Sequence, residues 1–244
     1  MHPRKITSTA GRVLRQLVHD PRTLGLIFIV PSALLILVKY VFYDRQAVFN
    51  QIEPLTVGVF PLTIMFLVTS ITTLRERSIG TLDRLMTTPL SKLDFILGYA
   101  LAFGVVAFIQ ACLASWVVMG LLGVPVAAGV GPMLVGAVLG GFLGTALGLF
   151  VSAFARTEFQ AVQFLPAIIF PQLLTCGLFI TREHMADFLQ AFANVVPMTY
   201  SVDAMKQIAL HSGWSSTLLH DYLVVVLYAF GVLILGAITI RRHD

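Results

Sequence analysis

Few side chains in this 244-residue chain have a type and spacing that could do chemistry. A phosphate-binding loop needs the pattern G-x-x-x-x-G-K-[ST], whose backbone amides cradle phosphates and whose lysine reaches the terminal ones. None of Lys5, Lys39, Lys92 or Lys206 follows a glycine, so the chain does not bind nucleotide in that way. No serine stands in the G-x-S-x-G setting of a hydrolase nucleophile. His184 and Asp187 are three residues apart beside Glu183, but no further ligands are arranged nearby to complete a metal site, and the stretch reads as a solvated turn. Cys112 and Cys176 lie in apolar stretches without metal or redox spacing and read as small core hydrophobes. Gln110, Gln163 and Gln172 also lie within apolar stretches, where they could either hydrogen-bond a substrate along a central pathway or tie helices together. No stretch carries a carboxylate near its centre, so an obvious proton relay is missing and power for any transport must come from elsewhere.

The longest charged run, Arg75 to Leu90, is suited to receive that power. Arg75, Glu76 and Arg77 open it, and Ile79, Leu82, Leu85 and Met86 form an apolar stripe at helical spacing, flanked by Asp83 and Arg84. Thr88-Pro89 ends this helix, because a residue before proline disfavours the α region. Ser91 can cap the helix that follows. Such a helix could insert its stripe into the groove of a soluble partner, or could simply lie in the interface as a loop helix.

The elements that must position this run are membrane spans. The chain is 57% hydrophobic and 11% charged, with mean hydropathy +0.89, whereas a soluble domain carries about 25% charged residues. A net charge of +4 and a pI near 9.3 could suggest nucleic acid, but the basic residues sit beside apolar stretches, where headgroups and topology account for them. A bilayer core needs about 20 apolar residues per helix. Six stretches qualify, at about 24–43, 55–74, 95–122, 132–155, 159–180 and 222–240. They are continuous rather than alternating, which excludes barrel strands. The expected class is therefore an all-α membrane protein of six transmembrane helices, forming one domain over 1–244.

Residues 1–23 are polar and basic and are not expected to be a cleaved signal peptide. Ile6, Ala10, Val13, Leu14, Leu17 and Val18 recur there at helical spacing, with Arg12, Arg15 and His19 on the opposite face, which predicts an amphipathic helix lying in the interface up to a bend at Pro21. Lysine and arginine fall twelve on one side of the spans and three on the other, with Lys39 inside the first span, near enough to its end to snorkel. This predicts that both termini and the 75–90 run face the cytoplasm. Gly136, Gly140, Gly144 and Gly148 keep one face of the fourth span smooth, for contact between subunits or around a transport path, or for tight packing inside one subunit.

The run Arg75-Glu76-Arg77, Gly80-Thr81-Leu82-Asp83-Arg84-Leu85, Thr88-Pro89-Leu90 and Gly98 resembles the cytoplasmic signature of type 2 ATP-binding-cassette (ABC) exporter permeases, E-R-x-x-G-T-L-E-x-L-x-x-T-P-L followed by an acidic residue and a glycine. Asp83 stands where glutamate is commoner. A second stretch, Phe170-Pro171, Gly177-Leu178-Phe179 and Val196 to Lys206, is similar to that family's outer segment ending in P-L-T-Y-x-x-D-A-x-R. Lys206 replaces the usual arginine, which puts any role needing a bidentate guanidinium in question. The similarity covers the whole chain and is nearest to permeases of daunorubicin-type drug resistance and lipo-oligosaccharide export.

The resemblance implies that Ile79–Met86 is a coupling helix seated on an ATPase subunit, with Arg75 through Met86 as its contact surface. It further implies short re-entrant helices between Arg182 and Lys206, a working unit of two permeases and two ATPase subunits, and a substrate path between the permeases. No cofactor is expected in this chain; ATP and Mg would be bound by the ATPase partner. The expected function is the permease half of an exporter of a drug-like or lipid-like amphipathic compound in a plasma membrane. A proton-driven secondary transporter, a non-transporting assembly subunit and an intramembrane enzyme are the other readings, in that order.

Overall fold

The computed structural model describes residues 3–78 and 92–239. The run from Ile79 through Gly80, Thr81, Leu82, Asp83, Arg84, Leu85 and Met86 to Ser91 lies outside the described residues, as do residues 240–244. Among the described residues all regular structure is helical.

Helix α1 (Pro3–Val18) buries Thr9, Ala10, Val13 and Leu17. The apolar stripe is therefore narrower than its sequence suggests, and Val18 at its edge is exposed. Asp20 starts the next helix. Its Oδ1 accepts the amides of Arg22 (3.2 Å) and Thr23 (3.3 Å), and its Oδ2 accepts the Thr23 hydroxyl (2.6 Å). These bonds, the Thr23 hydroxyl first, hold the Asp20 carboxyl below its ordinary value. Pro21 follows at the first helical position, where its missing N–H costs nothing.

Among the described residues, five helices are long and apolar enough to cross a membrane: α2 (Pro21–Val41), α3 (Gln46–Ser78), Asp94–Leu121, α5 (Val130–Ser152) and α10 (Ser216–Thr239). The third of these is α4 (Lys92–Ser115) continued by a π-helical stretch, Trp116–Leu121. The apolar stretch 159–180 behaves differently. It folds as α6 (Glu158–Phe164), a π-helical turn (Leu165–Ile169) and α7 (Phe170–Thr175), then gives way to bends. Pro166 and Pro171 each lack the amide that a regular ladder would use, which accounts for the interruption. A 3₁₀ turn (Arg182–His184), α8 (Asp187–Val195) and α9 (Pro197–Leu210) lead to α10.

The largest departure from expectation is α3. Its 33 residues begin nine positions before the apolar stretch at 55, and Pro54 and Pro61 lie inside it. At about 1.5 Å per residue the helix is roughly 50 Å long, well beyond the ~30 Å hydrocarbon layer. It occupies the centre of the molecule, with α5, α9 and α2 around it. α2, by contrast, buries only Ile27, Pro31 and Leu35. An apolar helix with most of its circumference unburied is what lipid contact requires.

The glycine face of α5 is turned inward onto α3. A Cβ at Gly144 would collide with the Leu62 carbonyl oxygen. One at Gly148 would lie 2.6 Å from the Phe66 carbonyl oxygen, and one at Gly140 would lie 3.2 Å from that of Gly58. At Gly136 the neighbours are Met205 (2.7 Å) and the Tyr222 hydroxyl (3.0 Å). The two backbones approach as closely as the small-residue rule for membrane helices allows. Two apolar clusters flank this seam. One lies toward the Arg75 end of α3 and includes Val13, Phe66, Tyr99 and Phe103. The other lies toward its Gln46 end and includes Phe49, Val57, Met133, Met205 and Tyr222.

Candidate functional site

The last described turn of α3 carries Arg75, Glu76 and Arg77, and each binds a different part of the chain. Arg12 of α1 grips Glu76 with both arms of its guanidinium, Nη1–Oε1 at 2.9 Å and Nη2–Oε2 at 3.1 Å. This planar fork-on-carboxylate geometry is the strong form of the ion pair. Arg12 Nη2 also donates to the Tyr99 hydroxyl at 3.0 Å, and that hydroxyl donates to Glu76. Glu76 is only 7% exposed and Tyr99 is fully buried. Phe95 and Phe103 flank the Tyr99 ring at 4.3 and 6.3 Å between centroids, which fixes its hydroxyl in place. Helical periodicity puts Arg12 on the polar face of α1, yet its long side chain reaches round the helix to this carboxylate.

Arg75 forms a second two-point pair with Glu158 at the start of α6, at 2.9 and 3.2 Å, with both partners about half exposed. Thr157 caps that helix through the Gln160 amide at 3.2 Å. Arg77 donates to the Ser152 carbonyl oxygen at the end of α5. The three residues thus join the base of α3 to α6, to α1 with α4, and to α5. All three are engaged within the chain, directly before the segment 79–91.

Gly98 lets α1 close onto this site. A Cβ there would lie 2.7 Å from Thr9 Cβ and 2.8 Å from its Cγ2. Gly98→Val is therefore expected to push α1 off α4, at a cost of about 1–3 kcal/mol for overpacking. Hydrogen exchange should quicken across Pro3–Val18 while the span helices keep their protection.

The other residues picked out from sequence are dispersed. Gln110 is buried and donates to the Ile27 carbonyl oxygen at 2.9 Å, tying α4 to α2. Gln172 donates to Ile168 O at 3.0 Å and accepts the Met198 amide at 3.4 Å, tying α7 to α9. Gln163 is exposed on α6. Gly136, Gly140, Gly144 and Gly148 serve the α3–α5 seam and α9. Lys206 and Arg182 both pair with Asp203, at 3.7 and 2.5 Å, closing the 3₁₀ turn onto α9. Gly177 has φ +84°, and the Lys206 ammonium lies 2.8 Å from where its Cβ would be. His184 contacts the Thr181 hydroxyl at 2.6 Å. Among the described residues no three His, Cys, Asp or Glu side chains are placed to hold a metal ion.

Sequence reasoning missed one group altogether. Glu53, outside the expected span, is inside α3 and fully buried, with no hydrogen-bond partner for either carboxyl oxygen among the described residues.

The sequence profile of a family described as ABC-2 type transporter matches residues 4–210 of this chain. The chain is 29% identical over 146 residues to the probable multidrug ABC transporter permease YbhR of Escherichia coli (strain K12), an alignment covering 60% of this chain and 40% of that protein. It is 26% identical over 141 residues to the inner membrane transport permease YhhJ of the same organism, covering 57% and 37%. It is 26% identical over 143 residues to ABC transporter G family member 20 of Dictyostelium discoideum, covering 59% and 20%. The matched part thus spans two fifths or less of the length of these relatives.

Proposed function

Because this chain belongs to the ABC-2 type transporter family, we propose that it is the permease subunit of an ABC exporter, driven by a separate ATPase that binds ATP and Mg. The observation that carries this reading is the three-way attachment at the base of α3. Arg75, Glu76 and Arg77 fasten four other helices to the turn that leads into residues 79–91. A push on that segment has to move α1, α4, α5 and α6 together, which is what a coupling helix at Ile79–Met86 requires of its mounting.

In this reading the Arg75 end of α3 and both termini face the cytoplasm, as the distribution of lysine and arginine supports. The interrupted helix Glu158–Thr175 serves as the sixth crossing. The short helices from Arg182 to Leu210 lie at the outer face. α9, at roughly 21 Å, is too short to span and enters and leaves on one side. The substrate is a hydrophobic or amphipathic compound, a drug or lipid, moving between two permease copies. The apolar far-end cluster supports this, and so does the multidrug designation carried by a similar permease.

The test is attachment of the ATPase. Leu82→Asp or Leu85→Asp is expected to abolish co-purification of a co-expressed ABC ATPase subunit, because a charge enters an apolar groove, while the permease stays folded. Unchanged co-purification removes the coupling role. Transport by this chain alone in proteoliposomes, driven by a pH gradient, replaces the ABC reading with that of a secondary transporter.

A further inference from the structure

Glu53 stands out because a buried carboxyl in a folded protein is ordinarily paired or hydrogen-bonded. This one is 0% exposed, and neither oxygen has a partner among the described residues. Between Glu53 and Arg75, α3 rises roughly 33 Å at about 1.5 Å per residue, so Glu53 lies near the far edge of the hydrocarbon layer. Phe49 and Val57, one turn before and after it on the same helix face, are fully buried in the far-end cluster with Met133, Met205 and Tyr222. Nearby hydroxyls are used elsewhere: Thr56 donates to the Glu53 main-chain oxygen at 2.6 Å, and Tyr222 donates to Pro132 O at 2.5 Å.

Other buried side-chain oxygens also lack a partner among the described residues: Gln110 Oε1 and the Ser115 hydroxyl in α4, the Thr199 hydroxyl in α9, and the hydroxyls of Thr69 and Thr73 nearer the Arg75 end of α3. Every orphaned side-chain polar atom among the described residues is an oxygen able to accept a hydrogen bond. Ser115 also borders an apolar cavity of about 420 Å³ lined by Trp116 and Met119, at the π-helical end of α4. Such stretches recur at functional sites. Aromatic rings are good neighbours for a cation.

We propose that Glu53 is the counter-ion of a binding site for lipophilic organic cations bearing N–H donors, closed in this structure and opened as the cation enters. This names a substrate class for the permease described above, and it rests on that reading. A buried acid in a membrane span is costly to keep and is typically placed where an ion passes. The mixture of one acid with apolar and aromatic walls selects charge together with hydrophobicity.

The experiment uses the full chain in lipid nanodiscs. Ethidium, a cationic dye with amine donors, and Nile red, a neutral lipophilic one, are titrated by fluorescence against the unaltered protein and Glu53→Gln. At least a tenfold loss of ethidium affinity, with Nile red unchanged, is expected. Equal ethidium affinity in both proteins, or parallel loss of both dyes, overturns the proposal. Glu53→Leu guards against a folding artefact. Its melting temperature is expected to stay the same or rise, since an unpartnered acid is removed, and a marked fall would assign Glu53 a structural role and overturn the proposal. Binding needs no ATPase, so ethidium bound through Glu53 without ATP-driven transport would sink the exporter reading and leave the site standing.

Discussion

Replacing Glu76 by alanine is expected to cost about 2 kcal/mol of stability and, under the proposed function, to uncouple the permease from the ATPase. Breaking a buried ion pair costs ~3–5 kcal/mol when the surviving charge is left unpaired. Here the Arg12 side chain keeps 30% of its exposure and can partly return to water, which lowers the figure. Tyr99 cannot do so; it is fully buried, and its hydroxyl loses the carboxylate it donates to. Melting in detergent reads the first effect, and ATPase stimulation by the reconstituted permease reads the second. The cycle of Arg12→Ala, Glu76→Ala and the double variant then separates a working pair from two independent contacts. Strictly additive losses would mean that α1 is held by its apolar stripe and Gly98 alone.

The second large effect is expected at Gly144. A side chain there meets backbone rather than a flexible side-chain end, so nothing can swing aside. Gly144→Ala should therefore separate α5 from α3, costing on the order of 3 kcal/mol or more, at or beyond the upper range for overpacking. Gly140→Ala, whose Cβ would lie 3.2 Å from the Gly58 carbonyl oxygen, should be milder. Thermal denaturation of the two variants in the same detergent gives the ranking. Equal melting temperatures would show that the seam can open without loss.

Much of this architecture could be read in the residues. Continuous apolar stretches identify α2, α4, α5 and α10 to within a few positions at most boundaries, because lipid demands length and hydrophobicity and little else. The four-residue spacing of Gly136 to Gly148 reveals a smooth face, but spacing alone does not say which helix lies on it. The start of α3 was hidden. Gln46, Asn50, Gln51, Glu53 and Pro54 together look like a loop, yet they are helical, and Phe49, Glu53 and Pro54 are buried by tertiary packing that no local preference announces. The interruption within 159–180 is hidden for the opposite reason. Its apolarity promised a regular span, while Pro166 and Pro171 broke the ladder.

The charged groups were the least legible. Arg75, Glu76 and Arg77 look like solvent-facing residues awaiting a partner, and in the fold they are anchors. Their partners Glu158, Arg12, Tyr99 and the Ser152 carbonyl lie far away in sequence, so no window along the chain contains both halves of a contact. Gly98 belonged to a recognisable motif without a visible reason, which is the Thr9 methyl pressed against it.

The α3–α5 seam has a consequence for the order in which the molecule assembles. Helices in a bilayer form before they associate, so the conformational freedom of Gly140, Gly144 and Gly148 is lost at insertion, when each helix winds up alone. When α5 then meets α3, glycine faces carbonyl oxygens, and hardly a rotamer has to be frozen along that line. Docking there costs little entropy compared with any contact made of long side chains. These two helices should find each other early, providing the template on which α9, α10 and finally the amphipathic α1 settle.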